Sequence, residues 1–377
     1  MEKSPQLARS DVDNARMSSC VIRFHMPGFR ALLVVAGLGS ALVAACGNSS
    51  GAMHEKARYF QSEGARAFQR GELDRAAGQC SLALEYEPKM PEARNCLGLV
   101  AQARGDIEGA EKMYRESIRL NEDFAEGYVN LGYVLQSRRD YEGAIENFRQ
   151  ALAIDPGYGL ARLAVGETLI ALGRFDEARW ELAKLVEIEP KNAGAHAAYA
   201  RVLNRMQRPA AATEAVEKAL SLDPNLPLAH RARAEILFDR GDLAGAAEEY
   251  RQVLAAEPNS LADRTRLVRA LGGARRYEEA ERELYGLEQA APTVAEVAWL
   301  RAWLSVQQGR FALAIGAARR ALQLQPNYPE AVLVLGEALL GAGQLEEGRK
   351  QLERFLQVAP PSMERQRQKV QQYLKGQ

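Results

Sequence analysis

A length of 377 residues suggests two or three domains before any pattern is considered. The 49 basic and 49 acidic side chains cancel, which excludes a whole-chain field drawing the protein to nucleic acid or to an acidic membrane surface. Apolar residues make up 47% of the chain but aromatics only 7%, so alanine and leucine dominate and helices are favoured.

From the N-terminus, no apolar run reaches the roughly 18 residues of a spanning helix. Ala31 to Ala45 ("ALLVVAGLGSALVAA") has the length of a signal-peptide core, and Arg23 and Arg30 supply the positive region before it. Met26 and Met17 are both suitable starts, the residues from Met1 then being an over-called extension. Val43-Ala44-Ala45-Cys46 resembles the lipobox of bacterial lipoproteins, although leucine is commoner than valine at its first position. The resemblance implies cleavage before Cys46, a diacylglycerol on its sulfur and acylation of the new N-terminus. Two or three acyl chains hold firmly at ~0.8 kcal/mol per buried CH₂. The plainer alternative is a secretory signal cut after Ala45, with Cys46 incidental. By the sorting rule of enteric lipoproteins, Gly47 leans toward the outer membrane, with the body facing the periplasm. Gly47 to Gly51 ("GNSSG") is expected to form a flexible tether with the residues up to 56, on the order of 30 Å long at ~3.4 Å per residue.

The remainder is periodic, which overrides the length prior. Pro88, Pro156, Pro190, Pro224, Pro258, Pro292, Pro326 and Pro360 fall on one 34-residue period, with Glu122 at the vacant place. Small residues keep the same period from Ala76 and Ala110 to Gly348, and glycines recur at Gly64, Gly98, Gly132, Gly166 and Gly336. In the unit ending at Pro156, Tyr128, Leu131, Gly132 and Leu135 form one helical stripe. Tyr141, Ala144, Phe148 and Ala151 form a second before the proline stops the helix. This resembles the tetratricopeptide repeat (TPR), matched without gaps. It implies an all-α fold, a right-handed superhelix of antiparallel helix pairs. In the family's phase nine repeats run in register, from Ala57–Met90 through Pro329–Ser362. Residues 363–377 ("MERQRQKVQQYLKGQ") suit a solvating C-terminal capping helix. Val268, standing where other repeats carry a small residue, is expected to splay the seventh pair slightly.

Chemistry is sparse in this region. His196 and His230 are equivalent points of adjacent repeats, expected to be half-buried structural side chains. No acid/base pair, phosphate loop, metal cluster or nucleophile elbow appears, so neither an enzyme nor a cofactor is expected. Cys80 and Cys96 lie on neighbouring helices; a bridge needs a Cα separation below about 7 Å, and two buried thiols are the plainer expectation.

In TPR proteins the second, fifth, ninth, twelfth and thirteenth residues of the first helices usually meet the ligand. Carried over, they nominate Tyr133, Gln136, Arg201, Asn204, Arg205, Arg231 and Phe238, then Arg269, Trp299, Trp303, Leu333 and Glu337. Trp299 and Trp303 share a helix face, and four arginines offer a basic strip for a peptide carboxylate or acidic segment, partly self-paired by Glu235 and Asp239. The expected function is a non-catalytic scaffold lipoprotein gripping envelope proteins, held to the membrane by its lipid and binding no nucleic acid. It is similar to TPR lipoproteins that help pilus secretins assemble, or that organise cell-wall hydrolases or polysaccharide export, although the pilus proteins have fewer repeats. The alternative is a small-molecule or glycan carrier using the tryptophan-lined groove. On this reading Trp303→Ala or Arg231→Glu abolishes partner capture without unfolding the array.

Overall fold

The computed structural model describes residues 20–23, 32–35 and 49–376. The signal segment other than these two short stretches, and with it Cys46, lies outside the described residues. Cys20–Arg23 and Leu32–Val35 pair as two antiparallel strands. Everything described from Ser49 onward is helical or turn, the all-α tetratricopeptide solenoid with a C-terminal cap. The chain divides into two compact units, Met1–Thr168 and Leu169–Gln377.

The first unit holds α1 (Ser49–Gln69), α2 (Leu73–Tyr86), α3 (Pro91–Ala103), α4 (Ile107–Leu120), α5 (Ala125–Ser137) and α6 (Tyr141–Ile154). The division falls within α7 (Gly159–Ala171). The second unit continues with α8 (Phe175–Ile188), α9 (Ala193–Arg205), α10 (Pro209–Leu222), α11 (Pro227–Asp239) and α12 (Leu243–Ala256). It ends with α13 (Leu261–Gly273), α14 (Tyr277–Ala290), α15 (Ala295–Gln307), α16 (Phe311–Leu324), α17 (Pro329–Gly341), α18 (Leu345–Val358) and the cap α19 (Glu364–Lys375). From α3 onward each first helix begins on the first residue of a 34-residue unit.

The period has a packing cause. On several first helices a glycine faces the side chain sixteen residues later on the second. A Cβ on Gly98 would sit 2.5 Å from Tyr114, and one on Gly132 would sit 2.5 Å from Phe148. Tyr114 and Phe148 are fully buried, so the missing Cβ is what admits their rings between the two helices. In the seventh pair Val268 shares a core with Leu284, a smaller partner than an aromatic ring.

The turns inside the pairs add a second periodic constraint. Gly71, Gly105, Gly173, Gly241, Gly309 and Gly343 have positive φ, and Arg139, Gln207 and Arg275 hold the same place at φ of 63°, 58° and 61°. That conformation reverses the chain between helices, and glycine adopts it without steric cost. Just beyond it, Asp106, Asp140 and Asp242 accept from the backbone N–H of Gly109, Gly143 and Gly245 and cap the second helices.

Three features differ from the sequence expectation. Helix α1 starts at Ser49, so most of the supposed tether is ordered. His54 Nδ1 pairs with Glu87 at 2.7 Å and Lys56 lies over the Tyr86 ring, which fixes the extra turns against α2. Cys80 and Cys96 form a disulfide, with Cα atoms 6.3 Å apart, instead of two thiols. Cys80 occupies the place that Tyr114 and Phe148 fill in the next repeats, and its small side chain leaves room to reach α3. At the other end the cap is more than a polar lid. Val370 is buried with Leu352 and Phe355, while Arg367 donates to the carbonyls of Leu356 and Ala359 at 3.0 and 2.7 Å.

If the missing Cβ at Gly132 is what seats Phe148, Gly132→Val must displace a ring that is fully enclosed. The expected cost is roughly 1–3 kcal/mol. Hydrogen exchange localised to α5 and α6 measures it, and unchanged protection there would refute the packing account.

Candidate partner-binding groove

The nominated side chains fall on the first helices, and each unit places its own differently. In the first unit Tyr133 is buried with its ring edge-on to Phe148 at 5.2 Å. Burial raises its phenol well above the ordinary range. It is a core residue, and the structure withdraws it from the exposed face. Gln136 donates to Thr168 Oγ1 at 3.1 Å. The sequence reading missed Glu126, whose carboxyl is raised to about 7 by burial and then by the charge of Glu92. Only knowledge of which acids face each other across α3 and α5 reveals it.

In the second unit, Arg231 is also withdrawn. It is 3% exposed and grips Asp263 with two parallel bonds, Nε to Oδ1 at 2.8 Å and Nη2 to Oδ2 at 2.9 Å. Its Nη2 also reaches Glu257 at 2.9 Å. Burial alone would raise the Asp263 carboxyl, but the Arg231 charge and the Ser260 hydroxyl outweigh it and hold the group below the ordinary value. Arg231→Glu would set a third carboxylate against these two, so it unfolds the region and cannot serve as a clean surface probe.

Arg201 and Arg205 both approach one carboxylate, Glu235, at 3.8 and 3.6 Å. Asn204 donates to Asp239 at 2.6 Å. The expected self-pairing of the basic strip is thus present. Arg269 differs. Its guanidinium lies 5.5 Å from the Phe238 ring on α11 and 5.9 Å from the Trp299 ring on α15. Trp299 in turn meets Tyr328 edge-on at 6.2 Å. Tyr328 lies just before α17, outside the five family positions, so sequence spacing does not nominate it.

Trp303 shares the helix face of Trp299 but does different work. Both rings are half-buried against the same two core clusters, but a Cβ on Gly272 would lie 2.7 Å from that of Trp303, so Trp303 alone is seated on a glycine of α13. Trp303→Ala therefore opens a core cavity instead of trimming a surface. At the last repeat Leu333 packs in the cluster completed by the capping helix. Burial raises the Glu337 carboxyl, and the cap's Lys369 partly offsets it. The cap closes that end of the row.

The histidines follow a shared rule. His196 Nε2 lies 3.0 Å from the carbonyl of Pro190 and His230 Nε2 lies 2.8 Å from that of Pro224. Arg162 and Arg264, on the same period, donate to Pro156 and Pro258 at 2.8 Å. Each ties a first helix to the carbonyl closing the previous repeat. Among the described residues no group of three or more His, Cys, Asp or Glu is placed to hold a metal ion.

Stacked helix pairs presenting a row of first-helix side chains define an all-α solenoid. The chain belongs to the tetratricopeptide repeat family. One family profile matches residues 96–159, 163–227 and 198–260, and a second matches 135–188, 237–304 and 305–372. Arrays of this family bind protein partners. No curated protein matches the sequence. Among solved structures it is similar to a chain of the APC/C hetero-tetramer Cut9–Hcn1, at 16% identity and TM-score 0.60, over 74% of this chain and 55% of that one. The protein thus spans little more than half of that neighbour. It is also similar to a tetratricopeptide repeat protein from Parabacteroides merdae, at 14% identity and TM-score 0.51, over 66% of this chain and 98% of that one. These likenesses show the fold.

Two predictions test the placements. Arg231→Gln takes the bidentate cation from the fully buried Asp263, leaving Arg266 at 3.0 Å and the Ser260 hydroxyl at 2.5 Å among its partners, and should cost roughly 3 kcal/mol. Urea unfolding followed in α11 and α13 measures it, and a cost below about 0.5 kcal/mol, the range of ordinary surface substitutions, would contradict the burial argument. For Glu126 the folded value lies above the unfolded one, so its contribution is present below about 4.5 and is lost as pH rises toward about 7. Exchange protection of α5 should fall across that window in the wild type, and Glu126→Gln should flatten the dependence.

Proposed function

We propose that the protein is a non-catalytic scaffold of a bacterial envelope, anchored through Cys46, which grips a partner protein along the first-helix face of its second unit. The row Phe238, Arg269, Trp299 and Tyr328 carries this reading. It joins three consecutive repeats, and its exposed cation and half-buried rings are the residue types that dominate interface energetics. The glycan-carrier alternative loses its main support, because Trp303 is committed to packing against Gly272.

Two observations support the envelope setting. The Val43-Ala44-Ala45-Cys46 motif follows an apolar stretch of signal length. The Cys80–Cys96 bridge belongs to an oxidising compartment, and disulfides are rare where thiols are kept reduced. If Cys46 is the lipidated N-terminus, Gly47 and Asn48 alone separate it from α1, so the first repeat is mounted close to the lipid surface. On this reading the array is the fixed half of an envelope assembly, of the pilus, secretion or cell-wall kind.

Cys46→Ser should leave the repeats folded while the protein accumulates as unprocessed precursor or appears in the soluble fraction, as read by fractionation and N-terminal mass. Unchanged processing and membrane association would eliminate the anchor. In the same cells, crosslinked partners should be recovered with wild type and lost with Trp299→Ala.

A further inference from the structure

The charges on the first-helix face of the second unit are mostly spent on one another. Arg231 is consumed by Asp263 and Glu257. Arg201 and Arg205 share Glu235, and Asp239 is held by Asn204. Arg269 is the exception. It is exposed and has no ion-pair partner among the described residues; its recorded contacts are with the Phe238 and Trp299 rings.

Ring contacts engage the π-face of a guanidinium and leave its N–H edge for a hydrogen-bonding ligand. Five donors in a planar fork match a carboxylate bidentately, and rings 5.5 and 5.9 Å away flank the fork on two sides. Elsewhere on the face the named charges meet acids, Arg201 and Arg205 with Glu235 and Arg231 with Asp263 and Glu257, so the open guanidinium of Arg269 is the cation an acidic group would meet.

We infer, resting on the groove reading above, that Arg269 is the specificity site of this face and binds the carboxylate of an internal Asp or Glu in an extended segment of the partner protein. Trp299 and Phe238 cover the apolar side chains beside that acid. The occupant is an internal residue because α9 and α11 on one side and α15 and α17 on the other continue the row past Arg269, leaving the bound chain surface to follow in both directions.

The test uses the full chain on a peptide array whose members are capped at both ends. Matched sets carry Asp or Glu, Asn or Gln, or Lys at the centre among varied apolar neighbours, and a companion set has a free terminal carboxylate and no internal acid. Wild type should prefer the internal-acid set. Arg269→Gln should lose that preference by about tenfold, the scale of one charge-assisted hydrogen bond. Arg269→Lys should retain part of it. Arg269 is exposed, so circular dichroism melting should be unchanged in both variants. Absence of an acid preference, its survival in Arg269→Gln, or a stronger preference for the free-terminus set overturns the inference. Binding to every set that Trp299→Ala abolishes, with no acid preference, sinks the inference while keeping the groove. Binding that Trp299→Ala leaves intact, or no binding by wild type, removes the groove reading and the inference together.

Discussion

The structure depends on one steric arrangement, repeated at a fixed spacing. A residue without a side chain, or with a small one, stands on the first helix of a pair, and a large side chain from the second helix enters the space. Gly98 with Tyr114, Gly132 with Phe148 and Gly336 with Leu352 are three instances. Close approach removes the large side chain from water and brings the backbones near enough for the next pair to pack on both. Each pair alone would leave an apolar face open, so stability accumulates through neighbours. The first repeat keeps the geometry but exchanges the large group for sulfur. Gly64 faces Cys80, which bonds across to Cys96 on the following repeat. That pair is the first of the described repeats, and there a covalent link replaces ring packing.

Polar groups at the repeat junctions follow the same economy. The carbonyl of the proline ending a repeat cannot be satisfied by a continuing helix. Arg162, His196, His230 and Arg264 answer it from six residues downstream. Asp263 is a sharper case: it is fully buried, and Arg231, Arg266 and Ser260 converge on it. Such a charge is tolerable only with every partner in place. Much of the basic character visible in the second unit is therefore internal wiring. What remains outward is small, an arginine between two rings with a tyrosine beyond, and that economy makes the row a credible recognition element.

Alternative uses of the same residues differ in what they ask of the tryptophans. A carbohydrate platform needs ring faces open to solvent. Trp303 spends its ring on Gly272, and Trp299 meets Tyr328 and the Arg269 guanidinium. An exposed arginine flanked by two rings instead suits a planar acidic group.

The helical period, the place of the repeat helices from α3 onward, the recurring small residues and the cap were legible in the amino-acid sequence, because they depend on residue size and polarity at fixed intervals along one chain. The fate of the nominated face was not. Tyr133 and Arg231 stand at family ligand positions yet are buried, since position in a repeat sets the direction of a side chain but not what the adjoining repeat supplies to meet it. Asp263 lies in the repeat after that of Arg231, and Tyr328 closes the repeat that Trp299 opens, at a place outside the family's ligand positions. The Cys80–Cys96 bond likewise turns on a separation of 6.3 Å between Cα atoms on two helices. The sequence by itself determined which helices form and how they pair. Tertiary structure decided which charges cancel, which sulfurs meet and which arginine is left for a partner, because those outcomes depend on distances across repeats.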